Sequence, residues 1–173
     1  MERRATLSLT EWAVVACLVD RSRHGYDIAG ELAPGTELGT VWRVERPLVY
    51  RALDRLVGLG LAEPQGPEPG GGGPPRRVHA ATAAGRARLD DWLATPVAHL
   101  REVRSALLLK LVVARRLGRD IGPLVDAQRT TFAATLDALA SAPPRHDPVA
   151  LWRHHSATAV RSLLDDLGSS DRD

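Results

Sequence analysis

The chain has 173 residues, 44% of them hydrophobic and 25% charged, with a formal net charge of +2. That composition suits one medium domain or two small ones around an apolar core, and no stretch approaches the run of about 18 apolar residues that a membrane span needs. One cysteine, Cys17, excludes an internal disulfide framework and any all-cysteine metal site. Thr6, Ser8, Thr10 and Glu11 interrupt the apolar stretch behind the charged Met1-Glu2-Arg3-Arg4, so no secretory leader is expected and the protein reads as cytoplasmic. Arginine outnumbers lysine 22 to 1, Lys110 standing alone. Phosphate recognition would explain that excess, but a genome-wide codon bias explains it better. Residues 1–80 carry ten arginines against ten acidic residues. Any nucleic-acid signal must therefore come from where the arginines sit.

In chain order, Ser8 and Glu11 stand at capping-box spacing, and Leu7 and Trp12 at staple spacing. They open a helix that is apolar nearly all round and ends near Asp20. Arg21 to Gly25 read as a polar turn. Tyr26, Ile28, Ala29 and Leu32 mark a second, short helix, stopped by Pro34-Gly35. Residues 36–46 read as a linker with a short extended piece at Val41, Trp42 and Val44. A third helix runs from about Pro47, as its first residue, to Leu59, with Gly60 just past its end. Leu61 to Glu63 begin a strand and Arg76 to Ala80 return it, joined by the Gly/Pro-rich tip Gly66 to Pro75. Four helices are expected after that. The first follows Thr82 as N-cap and runs to Ala94. The second covers about Leu100–Leu117 and the third about Pro123–Ala140, the latter stopped by Pro143-Pro144. The fourth has Asp147 as N-cap, Pro148 as its first residue and Gly168 at its close.

The fold expected is mainly α: residues 1–81 as a winged helix of three helices plus a β-hairpin wing, and residues 82–173 as a helical dimerisation and effector domain. In a winged helix the third helix enters the DNA major groove. At about 100° per residue, Val49, Ala52, Leu53, Leu56, Val57 and Leu59 share one side of it. Pro47, Arg51, Asp54, Arg55 and Gly58 share the other, with Leu48 and Tyr50 at the borders. Arg51 and Arg55 lie one turn apart and suit phosphate or the O6/N7 edge of guanine. The bland alternative is a solvated helix face.

His24-Gly25-Tyr26-Asp27-Ile28 resembles the HGYxI element of the PadR-like family of transcriptional regulators. Leu48 to Leu56, followed by Gly60-Leu61, resembles the family's LYRxLxRLxxxGL run. Thr82-Ala83-Ala84-Gly85-Arg86 resembles its LTxxGR helix start, with Trp92-Leu93 further on, and Leu107 to Leu111 resembles the segment opening its C-terminal domain. The resemblance spans about residues 7–118. It implies a DNA-binding winged helix, a dimerising helical domain, and a repressor that a small molecule releases. Two features depart from the family pattern. Ala80-Ala81 stands where the family usually has an aromatic and an aliphatic residue, and the wing tip holds Glu68 rather than a basic residue.

The DNA-contacting residues expected are Tyr26, Arg43, Arg46, Pro47, Tyr50, Arg51, Arg55, Arg76 and Arg77. Arg76 and Arg77 point to opposite sides of a regular strand, so only one of them faces DNA. Trp12, Trp42 and Trp92 read first as core or interdomain packing. Trp92 and Trp152 are the candidates for contact with a small aromatic or apolar effector. Cys17, in a buried apolar helix, reads as structural. His154-His155, Asp90-Asp91 and Asp165-Asp166 are adjacent pairs whose side chains diverge by about 100° on a helix, so they read as solvated rather than as metal ligands or acid/base pairs. No metal and no cofactor are expected.

Leu107 to Val113 are apolar around nearly the whole helix, and one chain is expected to bury such a helix only partly. A two-fold homodimer would complete the burial. It would read an inverted repeat with half-sites about 34–36 Å apart. There is no GxSxG elbow, HExxH or P-loop, so no enzymatic activity is expected. The alternative is a protein-interaction module that uses the winged helix as a docking surface.

Overall fold

The computed structural model describes residues 5–68, 76–141 and 147–170. They form two compact units, Met1–Trp92 and Leu93–Asp173. Outside the described residues lie positions 69–75 of the expected wing tip, the expected helix stop Pro143-Pro144, and His146.

In the first unit, α1 (Leu9–Asp20) begins with the expected capping box. The Glu11 N–H donates to Ser8 Oγ at 3.3 Å, and the Glu11 carboxylate accepts the Ser8 N–H at 2.7 Å. Glu11 through Leu18, Cys17 included, are all buried. The segment expected as a polar turn contains a short strand instead, β1 (Arg23–His24), whose residues pair with His79 and Val78. Two residues are too few to show a period, so only the tertiary pairing reveals the strand. Arg23 is 4% exposed, and its guanidinium bonds Asp20 and Glu31. Burial alone would lower its pKa, but pairing with Glu31 and Asp20 raises it above the usual arginine value, so the charge is kept.

After α2 (Gly25–Glu31) comes a helix where a linker was expected, α3 (Glu37–Val41). Thr36 caps it, accepting the Gly39 N–H at 3.0 Å. Behind it, the Trp42 indole donates to Thr10 Oγ1 at 3.2 Å, and the Val44 N–H to the Leu32 carbonyl at 3.1 Å. The helix expected from Pro47 is α4 (Arg46–Gly58), with Glu45 at the N-cap and Pro47 second rather than first. Gly60, at φ 68°, ends it, and the Leu61 N–H turns back to the Leu56 carbonyl at 2.9 Å. Val49, Ala52, Leu53 and Leu56 are buried, and α4 packs on both α1 and α2.

The wing is β2 (Ala62–Glu68) and β3 (Arg76–Ala81). With β1 it makes a three-stranded antiparallel sheet in the order β1-β3-β2. β2 is an edge strand, which is where Pro64 and Pro67 can be tolerated, and the register shifts between them. Thr82 caps α5 (Ala83–Ala94), accepting the Gly85 N–H at 3.1 Å. Trp92 stacks on Trp12 with ring centroids 4.8 Å apart.

The second unit is helical. The helix expected over residues 100–117 starts as a 3-10 turn (Leu100–Glu102) and a π turn (Val103–Leu107) before α6 (Leu108–Arg116). α7 (Gly122–Ala140) and α8 (Pro148–Ser170) pack against each other. Asp147 accepts the Val149 N–H at 3.0 Å, as an N-cap residue should. Gln128 is fully buried; its amide accepts the Val97 N–H at 2.8 Å and donates to the Val97 carbonyl at 2.9 Å.

Leu107, Leu109, Leu111 and Val113 are at most 5% exposed in the single chain, whereas Leu108 and Val112 are half-buried, so one chain covers most of this helix but not all of it. One expectation needs correcting here. His154 is not simply solvated: its Nδ1 lies 2.7 Å from the Leu139 carbonyl, at a helix end whose carbonyls lack intrahelical partners. His155 is exposed. Among the described residues no helix is long and apolar enough to cross a membrane, and no cluster of three His, Cys, Asp or Glu side chains could hold a metal ion.

Candidate nucleic-acid interface

The site is built around the first turns of α4. The N-cap Glu45 makes no side-chain capping bond; its carbonyl takes the Leu48 N–H at 2.9 Å and Pro47 has no N–H, so what the helix start offers is chiefly the partial positive charge of its dipole. Arg46 and Arg51 are exposed there, and the exposed Arg43 lies just before the helix. Pro47 is also exposed and sets the backbone of the first turn.

Tyr26, Leu48 and Tyr50 are 49%, 41% and 45% exposed, an unusual display of large apolar groups beside three arginines. The Arg46 guanidinium lies over the Tyr26 ring, 4.6 Å from its centroid. That cation–π contact holds both side chains at the start of α2 and α4. Tyr26, Arg43, Val44 and Arg46 line a shallow depression of roughly 270 Å³. Tyr50 is placed by its contact with Gly25, where any side chain would collide with the tyrosine ring.

Arg55 sits differently. Its Nη1 donates to the buried Glu11 carboxylate at 2.9 Å, and its Nη2 to the Thr6 carbonyl at 3.2 Å. Sequence reasoning placed Arg55 on the outer face of α4 but gave no sign of this partner, 44 residues away. On the wing, Arg77 is exposed, whereas the side chain of Arg76 falls outside the described residues. Between Arg77 and the core, His79 is half-buried; burial and the charge of Arg77 lower its pKa, which favours a neutral ring. The face also carries Asp27 and Asp54, both exposed, so it is mixed rather than uniformly basic.

The two effector candidates fare unlike each other. Trp92 is half-buried with one ring face covered by Trp12, as packing requires. Trp152, on α8, is 70% exposed.

Residues 14–91 match the model of the transcriptional regulator PadR-like family. Over those residues the chain is similar to that family. The matched stretch runs from within α1 to most of α5 and includes Tyr26, Arg43, Arg46, Tyr50, Arg51, Arg55 and Arg77, but not Glu11 or Thr6. The chain matches no curated protein. Among solved structures, it is similar to Bacillus subtilis PadR in complex with operator DNA, with 21% identity over 91% of this chain and 97% of that one and a TM-score of 0.49. It is similar to smu.1604c from Streptococcus mutans UA159, with 14% identity over 94% and 98% of the two chains and a TM-score of 0.45. It is also similar to Bacillus subtilis PadR in complex with p-coumaric acid, with 21% identity over 94% and 98% and a TM-score of 0.43.

Proposed function

We infer that this protein is a cytoplasmic, sequence-specific DNA-binding regulator without catalytic activity. It works as a repressor that binds an inverted-repeat operator as a homodimer. The observation that carries this reading is the exposed first turns of α4. Arg46, Tyr50 and Arg51 project there beside Tyr26 and Arg43, on a winged helix whose sequence matches a family of transcriptional regulators.

The residues divide by chemistry. Tyr26, Arg43, Arg46, Arg76 and Arg77 suit phosphates, which set affinity and register. Pro47, Tyr50 and Arg51 face the groove and read base edges, Arg51 suiting guanine O6/N7. Arg55 supports this face from the last turn of α4. For dimerisation, the support is α8, where Val149 and Trp152 stay 66% and 70% exposed. Apolar groups of that size gain by cover from a second copy. A small aromatic or apolar effector stacking on Trp152 would release DNA only by binding one dimer geometry better than the other.

Replacing Arg46 and Arg51 together by Ala tests the reading. A regulator loses operator affinity and keeps its oligomeric state in sedimentation. An interaction module shows no operator affinity to lose.

A further inference from the structure

Glu11 is 5% exposed, and both its oxygens are engaged. Oε2 accepts the Ser8 N–H at 2.7 Å, closing the capping box of α1, and Oε1 accepts Arg55 Nη1 at 2.9 Å. Arg55 adds a bond from Nη2 to the Thr6 carbonyl at 3.2 Å. One buried carboxylate thus ties the start of α1 to the last turn of α4. Val49, Leu53 and Leu56 of α4 are buried, and apolar burial chooses the inward face of a helix without fixing its exact angle. Within the limits of that buried face, α4 could still turn slightly about its axis. The ion pair supplies the missing direction, and a buried carboxylate without its partner would be costly. The same pair neutralises Arg55, and a guanidinium so engaged attracts phosphate weakly.

We propose that Glu11 is a positioning residue for DNA recognition: through Arg55 it sets the rotation of α4, so that Tyr50 and Arg51, in its first half, meet the groove. This rests on the DNA-binding reading above. Arg55 then acts on DNA through the angle of the helix and not through its own charge.

The test compares wild type, Glu11→Gln, Arg55→Ala, the double variant and Arg55→Lys. Each full-length protein is titrated with the operator and with unrelated DNA over a range of salt. Gln keeps an acceptor for the Ser8 N–H, so the start of α1 survives, which circular dichroism checks. Each of the first two changes should lower operator affinity roughly tenfold, and the double variant no further, as for residues acting as one unit. Affinity for unrelated DNA and the salt slope should stay as in wild type, and Arg55→Lys should recover much of the loss. The proposal is overturned if Arg55→Ala flattens the slope by about 0.9, the mark of a lost phosphate contact. It is overturned too if the two losses add, if Glu11→Gln has no effect, or if operator and unrelated DNA lose equally. Wild type without preference for any DNA would overturn the regulator reading itself, visibly before any variant is made, and this inference with it.

Discussion

Tyr50 of α4 lies across Gly25, the first residue of α2. A Cβ on Gly25 would sit 2.6 Å from Tyr50 Cε1 and 3.1 Å from Leu53 Cδ1. The missing side chain is what lets the start of α2 come close to α4 and seats the tyrosine ring on the interface. Gly25→Ala should therefore cost about 1–3 kcal/mol, as overpacking does, and weaken operator binding by displacing Tyr50. Thermal unfolding measures the first effect. In a Tyr50→Ala background the same change should cost clearly less, with only the 3.1 Å approach to Leu53 Cδ1 left; an undiminished penalty there would mean that Tyr50 is not the obstacle.

Arg51 is exposed one turn before Arg55, and in the proposed function it makes the direct contact. Arg51→Ala should cost about 1–3 kcal/mol of operator affinity and relax base preference at one position of each half-site. Binding to an operator library, read by sequencing, shows both. The unfolding midpoint should not move, because an exposed side chain is being removed.

Gln128 takes the place of a strand partner for Val97. Gln128→Met fills the same space but leaves the N–H and C=O of a buried residue unpaired. The expected cost is about 2 kcal/mol or more. Denaturant unfolding checks it, and a neutral result would mean that water replaces the amide.

Lys110 is 3% exposed, and burial lowers its pKa to about 8, against the opposing pull of Glu102. Between pH 8 and the unfolded value of 10.5 the unfolded chain holds more protons, so stability rises with pH across that window. Below pH 8 both states are protonated and the penalty for burying the charge is complete, on the order of 3 kcal/mol. Lys110→Met should remove the rise and stabilise the protein at pH 7. The measurement is the difference between the two proteins' stability curves from pH 7 to 10.

Much of the fold was legible because helix ends announce themselves locally. Ser8 with Glu11, Thr82, Gly60 and Asp147 with Pro148 each act within a few residues, and the structure places each one at a helix end. What failed was either too short or too distant. α3 is five residues long, and its one signal, Thr36 as N-cap, lay inside a stretch read as a linker. β1 exists only through its pairing with β3. On the site, the outward face of α4 followed from its period, since Arg51, Asp54 and Arg55 are exposed where that period puts them. The Glu11–Arg55 pair joins residues that no local pattern connects. The buried Lys110 was passed over because the leucines around it dominate the helix.

The central claim is that the exposed turns of α4 read a particular DNA sequence. Its most direct test is capture of fragmented genomic DNA by the purified protein at two salt concentrations, with the bound fragments sequenced. The account predicts enrichment of a short inverted repeat with half-sites about one helical turn apart, and binding that falls steeply with salt. A folded protein that enriches no sequence even at low salt would contradict it.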